Sequence, residues 1–146
     1  MKVMQILQRK GSDTIEAVSP DTTLSDVAAM LSQKRIGCVL VLNEEGKLAG
    51  IVSERDIVRV LGNSGGECLN DTVRSVMTAD VVTCVEEDDD NSVLQKMTDG
   101  RFRHMPVLKD GTLTGLISIG DVVKARIDSL KLENEELENM IRAATA

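Results

Sequence analysis

A mixed α+β fold, built from two copies of one β-α-β-β-α unit and extended by a C-terminal helix, is predicted by three observations on this 146-residue chain. The first is an internal repeat. Residues 46–58 and 111–123 align without a gap at an offset of 65, with six of 13 positions identical and three more exchanging Ile, Leu and Val. Upstream the offset becomes 66, so that Arg35 falls on Arg101 and Val41 on Val107. The added residue lies in the turn Asn43-Glu44-Glu45-Gly46 relative to Lys109-Asp110-Gly111, and turns are where insertions are tolerated. The second observation is that helical and strand periodicities follow one another in the same order in both copies. The third is that a helical pattern continues past Asp121 to the end of the chain without Gly or Pro.

Each element has its own signal. Leu24, Val27, Ala28 and Leu31 recur at i, i+3, i+4 and i+7, which is one face of a helix. Ser19-Pro20-Asp21-Thr22 before it supplies turn and N-cap chemistry. Cys38-Val39-Leu40-Val41-Leu42 is an apolar run of strand length. A Gly-containing turn and a second strand over 47–52 make it a hairpin. Ser53 opens a second helix through Ile57, Val58 and Leu61, and an entry strand near Thr14 to Val18 completes the unit. In the second copy Asp90, Val93, Leu94 and Met97 fall on the helical face, with Asp90 where the first copy has Leu24. The continuous apolar runs imply sheets covered on both faces. A copy of about 60 residues has a thin core alone, so the two are expected to pack together.

The ends and the junction set the predicted boundaries. Val3, Ile6 and Leu7 resemble Val73, Val76 and Met77, so the first copy is drawn over 2–62 and the second over 72–127. Gly62-Asn63-Ser64-Gly65-Gly66 opens a linker over 63–71. A helical tail covers 128–146. Along it Ile127, Leu130, Asn134, Leu137 and Ile141 alternate spacings of three and four, an a/d seam with Asn134 at an a position. That seam either pairs with its own copy or lies back on the chain it belongs to. A parallel coil would bring the two Asn134 side chains together. Glu133, Glu135, Glu136 and Glu138, against Lys131 and Arg142 alone, oppose parallel pairing.

Composition removes several function classes. The chain has 17 Lys+Arg against 24 Asp+Glu, a net charge of −7, which disfavours a nucleic-acid partner. Phe102 is the sole aromatic residue, so stacking a base on Trp or Tyr is excluded. With 42% hydrophobic and 28% charged residues the chain is not of the disordered class. No apolar run approaches the ~20 residues of a membrane span, and no signal peptide opens the chain. Cys38, Cys68 and Cys84 lack the spacing of a zinc site or redox pair, which points to a reducing, cytoplasmic location. Glu86-Glu87-Asp88-Asp89-Asp90-Asn91 lacks the spaced ligands and central Gly of a calcium loop, so no metal is expected.

The element that recurs is a strand ending Gly-aliphatic-aliphatic-Ser-x-x-Asp and leading into a helix: Ser53 and Asp56 in the first copy, Ser118 and Asp121 in the second. Ser-x-x-Asp is a capping box, with the hydroxyl accepting from a free helix N–H and the carboxylate in the favourable first turn. The same helix start offers N–H groups and a positive dipole end to a phosphate, and a first-turn Asp can accept from both hydroxyls of a ribose. Capping and binding are compatible, and the motif alone does not choose. Arg55 is misplaced for the helix dipole unless an anion sits before the helix. Arg101, Arg103 and His104 form a basic spot before the apolar strand Met105-Pro106-Val107-Leu108.

These features together resemble a tandem pair of CBS domains (the cystathionine-β-synthase-type domain), or Bateman module, over about residues 2–127. Residues 51–58 and 100–107 look like stand-alone bacterial members. The resemblance implies two repeats related by a pseudo-two-fold axis, with adenosine-containing ligands in the clefts between them. It implies that Asp56 and Asp121 hold ribose hydroxyls and that Ser53 and Ser118 contact phosphate with Arg55, Arg103 and His104. The adenine would lie against Val82 and Met105. Gly37 and Cys38 align with Arg103 and His104, and Gly120 aligns with Arg55, so the two sites are chemically unlike.

The expected function is therefore a non-catalytic, ligand-sensing module for an adenine nucleotide (AMP, ATP or NAD(H)). It would have no catalytic cofactor, would form a homodimer, and would act on a separate target protein. A dimerising scaffold with empty clefts and a partner-recruiting C-terminal helix is the alternative. An enzyme is not expected: His104 is the sole histidine, and neither a P-loop nor GxGxxG occurs.

Overall fold

The computed structural model describes residues 1–11 and 15–145. Along the chain run α1 (Val3–Lys10), β1 (Ala17–Val18), α2 (Leu24–Lys34), β2 (Cys38–Leu42), β3 (Leu48–Ser53) and α3 (Glu54–Ser64). Two 3-10 turns follow, Gly66–Asn70 and Val73–Ser75. Then come β4 (Cys84–Val85), α4 (Asp90–Gly100), β5 (His104–Lys109), β6 (Thr112–Ser118) and α5 (Ile119–Thr145). The α+β class and the repeated β-α-β-β-α order are as the sequence predicts. There are two three-stranded sheets, β1-β2-β3 and β4-β5-β6.

In the unit that holds the first sheet, β1 lies parallel to β2, with Val18 opposite Val41. β2 is antiparallel to β3, with Val39 opposite Val52. The longer first turn has a structural consequence: the register shifts between Val41 and Leu42. Asn43 holds this turn, its side-chain oxygen accepting from the backbone N–H of Glu45 and Lys47 at 3.0 and 2.9 Å. The shorter second turn places Asp110 and Gly111 at φ 51° and 79°. Two successive positive φ angles match the twist of a tight hairpin. Leu24, Val27, Val39, Val41, Val52 and Val73 are fully buried in this unit. Burial of such a side chain stabilises by about 1.5–3 kcal/mol, so an aliphatic core suffices without aromatics.

The unit that holds the second sheet repeats this plan. Cys84 lies opposite Val107 in the parallel pair β4–β5, the counterpart of Val18 opposite Val41 at an offset of 66. Val93, Met97, Met105, Val107 and Ile117 form its core, together with Val3 and Ile6 of α1. The helix starts also correspond. Thr23 caps α2 by accepting from Asp26 N, and Asp89 caps α4 by accepting from Ser92 N. The cap of α2 is thus one residue beyond the tetrapeptide Ser19–Thr22, which forms the preceding turn through Thr22 N–H to Ser19 O.

Two expectations need correction. The first is that each repeat packs as one unit. The compact units cut across the repeats drawn over 2–62 and 72–127: α1 belongs with β4, α4, β5 and α5, while Thr72 to Met77 belongs with β1–β3. The lead segments are alike, as the sequence says, but each packs on the other copy. Val3 N–H and Met4 N–H donate to Asp88 O and Glu86 O; the equivalent Val73 and Arg74 donate to Thr22 O and Pro20 O. The second correction concerns the linker. α3 continues to Ser64, Gly65 ends it at φ 74°, and the next turn buries Cys68. Along α3 Ile57 takes the core position and Val58 faces solvent. Asp90 is buried and opens α4 at the position where Leu24 opens α2, as the alignment of the two copies has it. The entry strand is described over Ala17–Val18; Thr14 lies outside the described residues.

Candidate functional site: two capped helix starts

β3 delivers Ser53 in extended conformation at φ −107° and ψ 165°, and α3 begins at the next residue. Ser53 Oγ accepts from Asp56 N–H at 3.3 Å, while Asp56 Oδ2 accepts from Ser53 N–H at 2.9 Å and from Ser53 Oγ at 3.1 Å. This is a closed capping box. Its outer face carries Arg59, whose Nη1 stands 3.2 Å from Asp56 Oδ1. Arg55 is exposed in the first turn. Glu54 N–H, a helix-start donor, goes to Gly37 O at 2.9 Å, which ties the helix start to the residue before β2.

The second helix start has the same box with a different surround. Ser118 N–H donates to Asp121 Oδ2 at 2.9 Å, and Asp121 N–H to Ser118 Oγ at 3.1 Å. Ile119 N–H donates to Arg103 O at 2.8 Å, placing Arg103 and the half-buried His104 beside the helix start. Gly120 stands where Arg55 stands in α3, so the first turn of α5 carries no cation. One comes from α1. Lys10 Nζ is 3.0 Å from Asp121 Oδ2 and donates to Leu116 O at 2.9 Å. Burial by itself would raise the Asp121 pKa; the Ser118 N–H and the Lys10 ammonium outweigh it and hold the carboxyl below its ordinary 3.8.

Of the predicted residues, the structure brings Ser53 to Asp56, and Ser118 to Asp121 with Arg103 and His104 alongside. Val82 is exposed near the end of the segment that follows Met77. Met105 is not available to a ligand: it is fully buried in the core with Val107 and Ile117, because the inward face of β5 falls on it. Sequence reasoning missed Lys10 and Arg59. Arg59 was legible as an i, i+3 partner of Asp56. Lys10 carries no local signal, being 111 residues from Asp121.

The cysteines take no part. All three are buried and none is in a disulfide; burial together with the nearby Asp88 pushes the Cys84 thiol up to about 11. Among the described residues no group of three or more His, Cys, Asp or Glu is placed to hold a metal ion. Among the described residues no helix is long and apolar enough to cross a membrane.

Comparison with known proteins gives the same picture. The sequence profile described as CBS domain matches residues 11–63 and 73–128. The mitochondrial CBS domain-containing protein CBSX3 of Arabidopsis thaliana is 34% identical over 126 residues, which is 84% of this chain and 61% of that protein. The chain thus spans about three-fifths of that relative's length. A crystal structure of a CBS-domain containing protein from Agrobacterium tumefaciens is 42% identical with a TM-score of 0.82, covering 86% of this chain and 92% of that one. A CBS domain protein from Pyrobaculum aerophilum, complexed with AMP, shares the fold at a TM-score of 0.77 and 23% identity, over 92% and 99% of the two chains.

Proposed function

The chain belongs to the CBS-domain family, as a tandem pair, and from that premise we propose that it is a non-catalytic regulatory module that binds an adenine nucleotide (AMP, ATP or NAD(H)) at its two Ser-x-x-Asp helix starts and modulates a separate target protein. The observation that carries this reading is the second helix start. A free helix N-terminus attracts anions, and here an ammonium, Lys10, and the Arg103–His104 stretch stand beside it. Asp121 uses Oδ2 for the cap and Lys10, and a carboxylate has about four lone-pair directions. Acceptor capacity is left for a ribose hydroxyl. Ser118 and Ser53 supply hydroxyls for a phosphate; of the first three N–H groups of each helix, those of Glu54 and Asp56, and of Ile119 and Asp121, are bonded within the chain, which leaves Arg55 and Gly120 N–H as the backbone donors. The AMP complex of the Pyrobaculum protein supports the ligand class.

In this reading the ligand acts by mass action: binding only the folded chain, it stabilises it. The same reading makes the module a homodimer, supported by the apolar seam of α5 and by Val58 and Val123, equivalent positions that are both exposed.

The test is calorimetric titration with AMP, ATP and NAD(H) on the parent, Asp56→Ala and Asp121→Ala. Each variant should lose one binding event and keep its fold, since a lost cap costs about 1 kcal/mol. If both variants bind like the parent and merely melt lower, the motifs are caps and nothing more. If the parent gives neither heat nor a thermal shift at millimolar ligand, the sensing function is excluded.

A further inference from the structure

α5 is tied to its own unit as far as Asp128, whose Oδ2 meets Arg9 Nη1 at 2.9 Å. Beyond it, every residue from 130 to 145 is exposed. That is about 24 Å of helix at 1.5 Å per residue. A single helix of this length is marginal in water. Its apolar residues are not scattered. Ile127, Leu130, Leu137 and Ile141 are 47%, 48%, 56% and 63% exposed, and with Asn134 they lie on one seam at spacings of three and four. Ile at a and Leu at d favours two strands when the helices are parallel, so the seam itself does not argue for the antiparallel orientation.

The flanking charges choose the orientation. In a parallel pair, Arg126 would face the partner's Lys131, and Glu133 would face the partner's Glu138. Every such contact sets like charge against like, twice over by symmetry. In an antiparallel pair centred between residues 135 and 136, Lys131 faces the partner's Glu138 and Glu138 the partner's Lys131. Glu133 then lies beside the partner's Met140, whose aliphatic stem covers the seam. Leu130 packs on the partner's Ile141, and Ile127 on the partner's Ala144. Asn134 lies level with the partner's Leu137, and the two Asn134 residues stand on either side of the dyad, about 4.5 Å apart along the axis at 1.5 Å per residue. This register runs over 126–145, the exposed stretch together with the four residues before it. Leu132, on the outer face, takes no part in it.

We propose that the exposed half of α5 is an interface for a second copy of this chain, paired antiparallel with Lys131 against Glu138 at each end. This rests on the homodimer reading and adds its orientation; it does not depend on nucleotide. The test uses the full-length chain, whose native cysteines are all buried. Lys131→Cys protein mixed with Glu138→Cys protein should oxidise to a cross-linked dimer, and Glu133→Cys mixed with Glu138→Cys should not. In sedimentation equilibrium, Lys131→Glu and Glu138→Lys should each weaken dimerisation roughly tenfold, and the double reversal should restore it. A parallel coil predicts the opposite sign, because each single reversal would relieve a repulsion. A dimer that cross-links through 133 and 138, or through neither pair, overturns the antiparallel interface and leaves the homodimer standing. A monomeric mass for the parent at micromolar concentration removes both.

Discussion

Asp121 and Asp56 do the same work for their helices, yet only Asp121 is held by an ammonium from another element. The difference has a pH signature. A carboxyl whose folded pKa is depressed contributes stability that is complete above the unfolded value near 4 and is lost as pH falls through the folded value. Asp121 is such a group, with Ser118 N–H and Lys10 as the depressing partners once the opposing effect of burial is overcome. Lys10→Met should therefore destabilise the chain near pH 6, and the gap to the parent should narrow as pH falls below 3.8 and through the folded value. Urea unfolding at pH 6 and in steps downward from pH 4 measures it; a gap of constant size would mean that Lys10 acts through its packing alone. Lys10→Met should also weaken AMP more than adenosine, since the ammonium is offered to a phosphate. The residue scale explains what was legible in the site. Ser53, Asp56, Ser118 and Asp121 are visible because a capping box closes over three residues. Lys10 is invisible because the contact that matters depends on which copy α1 joins. Met105 is placed at the adenine by resemblance alone, and the fully buried side chain shows that the resemblance does not report which strand positions reach the surface.

At the scale of elements, the lead segments are the instructive case. Local patterns were enough for α2, β2, β3, α4, β5 and β6, because periodicity and turn chemistry lie within a dozen residues. They were not enough to dock α1 or the 72–77 segment, since similarity between two segments carries no record of their partners. The docking depends on the glycine that each hairpin places under the incoming segment. A Cβ on Gly115 would stand 2.8 Å from Leu7 Cδ2, and one on Gly50 would stand 2.6 Å from Met77 Sδ and 2.9 Å from Thr78 O. Side-chain ends can turn aside, but a backbone carbonyl bonded to Ile51 N–H at 3.0 Å cannot. Gly50→Ala should thus cost about 2–3 kcal/mol and Gly115→Ala about 1 kcal/mol, read from denaturant midpoints. Equal losses would show that the backbone contact at Thr78 yields as easily as a leucine methyl. The linker drawn over 63–71 is structured where its composition reads as flexible. A Gly-rich run looks flexible, but Gly65 alone ends the helix, and Cys68 draws the following turn into the core.

For the whole molecule, duplication with divergence is the organising fact, and it bears on how many kinds of ligand the chain can hold. The two helix starts share geometry to within a few tenths of an ångström and differ in the charges around them, apart from Arg59 and its counterpart Lys124 one turn in. Around Ser118 and Asp121 stand Lys10, Arg103 and His104, with Gly120 in the helix turn. The aligned counterparts of these residues in the other copy are Asp80, Gly37 and Cys38, with Arg55 in the helix turn. Three basic groups have become one acid and two neutral residues, while the helix has gained a cation. Charge-assisted hydrogen bonds to phosphate are about twice as strong as neutral ones, so their redistribution should separate the two affinities. Titration of AMP or NAD(H) into the parent should follow a two-step isotherm. Asp121→Ala should delete one step and Asp56→Ala the other. The step that depends on Asp121 should weaken more steeply with added salt, because more cations there meet the ligand's phosphates. A single isotherm fitting two identical, independent sites in the parent would mean that the divergence of these charges has no bearing on the ligand, and would leave only the shared caps as the product of the repeat.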